Sequence, residues 1–239
     1  GAVLGGRDDG GRSAAALTTF RPPGPPGFRP KEGFSGFRGS RWGEVYASIG
    51  MSSIPERHPP TYEDILALPD DVTGQIVDDE LFVTPRPASD HQRVISNLGG
   101  DLNPPFDIGR GGPGGWWILQ EPELHLGKHV LVPDLAGWRR EQMPEFPRVA
   151  FFTQAPDWVC EVLSPATARF DRMKKLGTYA RERVGHAWLV DPVLETLEVF
   201  RRQGDGWYLA LTAGGDDVVR AEPFDAIEIA LKNLWIRPA

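Results

Sequence analysis

The chain has one cysteine, Cys160, in 239 residues. No intramolecular disulfide can form, and a zinc site built on cysteine is excluded. No apolar run approaches the roughly 20 residues that span a bilayer. A compact apolar signal core is also missing near the N-terminus: AAALTTF is short and runs into prolines. Together these absences lead us to expect a cytoplasmic protein with no membrane partner. A basic excess is lacking too. The net charge is −7, which argues against coating nucleic acid by bulk electrostatics but leaves room for a local basic groove.

Glycine, proline and arginine crowd into residues 1–50, which carry seven basic and four acidic residues and no sustained periodicity. Such a segment cannot bury enough apolar surface to offset its ordering entropy. The expectation is a disordered or non-native extension over 1–50, with the native start at Met51 and one domain over 51–239. An Arg-rich arm touching an anion is the alternative.

From Met51 the pattern alternates between strand and helix. Thr61 reads as the N-cap of a short helix, YEDILAL, with Asp64 three residues on. GQIVDDELFVTPRP predicts two strands about an Asp78-Asp79 turn. Apolar residues at 94, 95, 98 and 102 predict a helix, capped by Ser89 or Asp90. WWILQEPELHLG and KHVLVPDLAGW predict a hairpin turning at Gly127-Lys128. DWVCEVLSP is a further strand. A helix follows, TARFDRMKKLGTYARERV, with an apolar stripe at 170, 173, 176, 180 and 184, and then three strands. The fold class is α/β or α+β, a mixed central sheet flanked by helices.

Two strands each carry one acid in an apolar setting. Alternation puts Asp134 on one face with Val132 and Ala136, and Glu161 on one face with Val159 and Leu163. Taken singly, Asp134 reads equally well as a turn residue after Pro133, and Glu161 as half of a buried ion pair. If the strands are neighbours, the two carboxylates converge and repel unless a cation lies between them. Hard oxygen ligands suit Mg²⁺ or Mn²⁺, which can polarise a phosphoryl oxygen and activate water. Glu121 or Glu123 can supply a third carboxylate; a solvated hairpin edge is the plainer reading. His91 reads as a capping or core histidine, with a base or phosphate-binding role as the alternative. His125 and His129 read as hairpin surface, and His186 and Cys160 as packing. GRGGPGG lacks the ending and context of a phosphate-binding loop.

VPDLAGW followed by EVLSPATARFDRMKKLGTYARERVGHAWLVDP resembles the Uma family of restriction endonuclease-like proteins, within the PD-(D/E)XK nuclease superfamily. PRPASDHQRV and the hairpin continue the likeness, which covers about residues 59 to 237. The resemblance implies a restriction endonuclease-like fold and a metal-dependent endonuclease acting on the phosphodiester bonds of DNA. It implies that Asp134 and Glu161 hold the metal and that Lys175 is the active-site lysine. The usual lysine position, two residues after Glu161, holds Leu163. On the helix, Lys175 points away from the apolar stripe, so Lys174 stays a candidate. Gln75 stands where the family has a glutamate, and Asp79 where it has a turn glycine. With Leu163, Gln75 supports an alternative, a catalytically inactive nuclease-fold binding or interaction protein. RNA is a second candidate substrate. A homodimer is expected if both strands of a duplex are cut.

Overall fold

The computed structural model describes residues 58–85 and 88–236. The expected extension at 1–50 and the start at Met51 lie outside them. Helix α1 (Tyr62–Leu66) opens at Thr61, whose backbone N–H donates to Asp64 Oδ2 at 2.7 Å. Strands β1 (Val72–Val77) and β2 (Glu80–Pro85) form the expected hairpin. Its turn residues Asp78 and Asp79 have φ of 50° and 62°.

Helix α2 (Ser89–Leu102) buries Val94, Ile95, Leu98 and Leu102, the stripe read from the sequence. Its N-cap is Ala88 rather than Ser89 or Asp90. Asp90 instead accepts the N–H of His91 at 2.9 Å. A single π-turn, Asn103–Ile108, extends the helix, and its two prolines donate no hydrogen bond.

The expected long hairpin is present but splits between two sheets. Its base, β3 (Trp116–Gln120) with β6 (Leu135–Arg139), joins one sheet. Its tip, β4 (Leu124–Leu126) with β5 (His129–Leu131), joins the other. The order in the first sheet is β2-β1-β5-β4. The second is completed by β7 (Trp158–Val162), β8 (His186–Asp191), β9 (Thr196–Gln203) and β10 (Gly206–Gly214), in the order β10-β9-β8-β7-β6-β3. Only β7 and β8 run parallel. They are joined by a helical run over 168–181, here α3. A small pair, β11 (Val218–Val219) and β12 (Ile229–Ala230), follows.

The larger sheet is buried on both faces. Trp158, Cys160 and Val162 of β7 pack with α2 and Phe224, while Val159 and Ala187 pack with Tyr179 of α3. All five β7 residues are buried. Two-sided burial explains the unbroken apolar run around Glu161. The architecture is α+β: mixed sheets flanked by a few helices.

Candidate active site

The site lies where the hairpin leaves one sheet for the other. Strand pairing breaks there, and backbone groups lose their ladder partners. Side chains replace them. The Val132 N–H donates to Gln75 Oε1 at 2.9 Å, and the Val132 carbonyl accepts from Lys175 Nζ at 3.2 Å. Val162, the last residue of β7, donates its N–H to Asp134 Oδ2 at 2.6 Å. The gap between the sheets thus requires polar side chains for a backbone reason alone, and the same residues line a cavity of about 330 Å³.

β6 and β7 are neighbours, with Leu135 opposite Cys160. This register brings Asp134 and Glu161 into the one cavity. Glu161 is 3% exposed. Its Oε2 accepts from Lys175 Nζ at 2.7 Å and its Oε1 from the Tyr179 hydroxyl at 2.6 Å. Lys175 also lies 3.7 Å from Asp171 Oδ1. His91 Nε2 stands 3.3 Å from Asp134 Oδ2.

The expected orientation of α3 is corrected here. Asp171, Lys175, Thr178 and Tyr179 face inward and are buried, whereas Met173, in the expected apolar stripe, is 67% exposed. Helical periodicity identifies a face by its polarity, and here the polar face covers the site. The run also changes register: Asp171–Lys175 is a π-turn between Ala168–Phe170 and Leu176–Arg181. Lys174 points elsewhere and pairs with Glu80 at 3.4 Å. Lys175, not Lys174, is the lysine beside the two acids. Leu163 is buried, and its N–H donates to Val190 O at 2.7 Å.

Of the two candidate third carboxylates, Glu121 lines the cavity, exposed and with φ of 47°. Glu123 instead meets His125 at 2.7 Å, away from the cavity. His129, expected on the hairpin surface, is 5% exposed and accepts the Asp78 N–H at Nδ1, 3.2 Å. His91, Asp171 and Tyr179 were not read as site residues from the sequence. The available signal was the four-residue spacing of Asp171, Lys175 and Tyr179, a polar stripe on a helix that crosses over a buried sheet.

Burial dominates the electrostatics. It pushes the Glu161 carboxyl up to about 8, against the pull of Lys175 and with added repulsion from Asp171 and Asp134. Burial raises Asp171 as well. Desolvation pulls Lys175 down, but Glu161, Asp171 and Asp134 outweigh it and the net shift is upward. The lysine stays charged, while the glutamate lies at the edge of protonation. His91 is likewise lowered by burial and raised by Asp134, with a net rise. Three carboxylates therefore face one lysine and one histidine, and the cavity favours added positive charge.

Hard oxygen donors from Asp134 and Glu161 fit a divalent ion of the Mg²⁺ kind. Among the described residues no group of three or more His, Cys, Asp or Glu side chains is arranged to hold a metal ion. That agrees with the Mg²⁺ pattern, in which one or two carboxylates are completed by water and substrate phosphate.

A mixed sheet that opens around paired acids, with a lysine held between them, is the architecture of a restriction endonuclease-like nuclease. The chain belongs to the Uma2 family, whose model, described as "Putative restriction endonuclease", matches residues 59–232. Among solved structures it is similar to "a putative nuclease belonging to DUF820 from Anabaena variabilis ATCC 29413". That match has 22% identity and a TM-score of 0.61, and covers 74% of this chain and 97% of the other. No curated protein matches the chain. Nucleases of this kind generally use divalent metal ions. No helix among the described residues is long and apolar enough to cross a membrane.

Proposed function

We propose that the protein is a metal-dependent endonuclease that hydrolyses phosphodiester bonds of DNA, with Asp134 and Glu161 holding Mg²⁺ or Mn²⁺ and Lys175 assisting. The observation that carries this reading is the buried Lys175 Nζ, 2.7 Å from Glu161 in the cavity shared with Asp134. The lysine reaches from α3 the place that Leu163 leaves without a cation.

The bound ion would neutralise charge on the phosphoryl oxygens and lower the pKa of a bound water. The chain's own residues hold the geometry. Tyr179 and Lys175 fix one oxygen each of Glu161, leaving lone pairs on both for an ion. The Val162 N–H and His91 hold Oδ2 of Asp134. An ammonium has three donors. Lys175 spends two, on Glu161 and the Val132 carbonyl, and Asp171 at 3.7 Å is beyond hydrogen-bond length. The third is available to a phosphate oxygen or the attacking water, where charge develops. Gln75 accepts the Val132 N–H, so the amide performs the backbone task a glutamate would, without its charge.

The test is cleavage of DNA and of RNA of the same sequence with Mg²⁺ or Mn²⁺, using wild type and Asp134→Ala. Metal-dependent DNA cleavage that falls at least a hundredfold in the variant is expected. If neither protein cleaves and calorimetry detects no metal binding, the chain is a nuclease-fold binding module instead.

A further inference from the structure

We infer that the nucleic acid enters this site as an unpaired strand, one nucleotide at a time, and not as a continuous duplex. The inference rests on the nuclease reading above and names the substrate class of the same site.

Depth is the first reason. Glu161, Lys175 and Asp171 are 3%, 2% and 4% exposed. They form the floor of the cavity, while exposed Pro85, Ala88, Pro165 and Ala166 stand at its mouth. A scissile phosphate must pass the mouth to reach the floor. Duplex DNA is a stiff rod whose smooth bending alone costs energy over a short site. It cannot push one phosphate into a narrow recess without unstacking its neighbours.

Size is the second. About 330 Å³ is near the lower end of the ~300–1,000 Å³ of sites that enclose one small molecule. That scale suits a single extruded nucleotide, the solution used by enzymes that act on a base in an enclosed pocket.

The walls are the third. Phe170 lines the cavity and stacks on Phe82, with ring centroids 4.0 Å apart and planes at 29°. One ring of the pair is thereby braced from behind, as an aromatic platform for a base would be. By contrast, among the described residues the only basic side chains lining the cavity are His91 and Lys175. Duplex binding draws on many phosphate contacts from Lys and Arg, which these walls lack.

The experiment compares a labelled single-stranded oligonucleotide with the same strand in a blunt duplex. Cleavage is measured with Mn²⁺, and binding by fluorescence anisotropy with Ca²⁺. We expect the single strand to be cut at least tenfold faster and bound at least tenfold more tightly. Phe170→Leu keeps apolar bulk and removes the ring; it should weaken single-strand binding about tenfold while the melting temperature reports the fold. Equal or faster cutting of the duplex overturns the inference and leaves the nuclease reading intact. If neither probe is cut, the nuclease reading falls, and binding still decides the inference: single-strand preference upholds it, and equal or absent binding overturns it.

Discussion

Lys175 and Lys174 are adjacent in sequence and opposite in consequence. Lys175 is buried against Glu161 and Asp171, and Lys174 meets Glu80 at a solvated edge. Lys175→Met is expected to lower cleavage at least a hundredfold, as loss of a donor at developing charge does, while Lys174→Met stays within about twofold in the same assay. The first change also removes the partner of a buried carboxylate. Its stability cost is about 3 kcal/mol, at the low end for a broken buried pair because Glu161 can take a proton. Equal effects of the two variants on both activity and melting would remove Lys175 from the site. His91 acts through Asp134. His91→Asn is expected to weaken Mn²⁺ binding several-fold by calorimetry, in the range by which partners that orient a ligand tune affinity. Unchanged affinity would make it a packing residue.

At the level of elements, the β1–β2 turn has a cost that sequence chemistry exposes. Asp78 and Asp79 both have positive φ, and the preferred pair in such a two-residue turn ends in glycine. Asp79 pairs with Lys128, but both side chains are at least half exposed, so that pair contributes little. Asp79→Gly should therefore stabilise the protein by about 0.5–1 kcal/mol, the relief of one left-handed residue. A lower melting temperature would show that the Lys128 pair outweighs the strain. The split hairpin matters more for function. By parting at Val132, it frees the backbone groups that Gln75 and Lys175 then satisfy. The π-turn of α3 lies beside them and holds Asp171 and Lys175 on the buried side.

For the whole molecule, two buried histidines link stability to pH. Burial lowers the pKa of both His129 and His186, though Asp78, Glu182 and Glu222 oppose it. The folded state then prefers them neutral, and the unfolded chain binds protons first as pH falls through about 6.5. Stability should be flat above that value and decline below it until the folded pKa values are passed. His129→Asn keeps an acceptor for the Asp78 N–H and should flatten the decline in melting temperature between pH 7 and 5. An unchanged slope would remove His129 from the effect. Residues 57–239 cluster as one compact unit. A chain starting at Met51 is expected to melt within about 2 °C of the full chain, since an extension that buries little apolar surface contributes little stability.

Residue type and spacing determined the strand and helix order, the Asp78-Asp79 turn and the buried stripe of α2, because these depend on neighbours one to four positions away. They also singled out Asp134 and Glu161, since a lone acid in an apolar strand is conspicuous. What lay beyond the sequence was which sheet each half of the hairpin joins and which face of α3 turns inward. Periodicity marks an apolar stripe, but it carries no sign that a polar stripe will cover a buried charge. That choice belongs to the tertiary structure, because only the meeting of β5, β7 and α3 creates the unpaired backbone groups and the buried carboxylate that Lys175 satisfies.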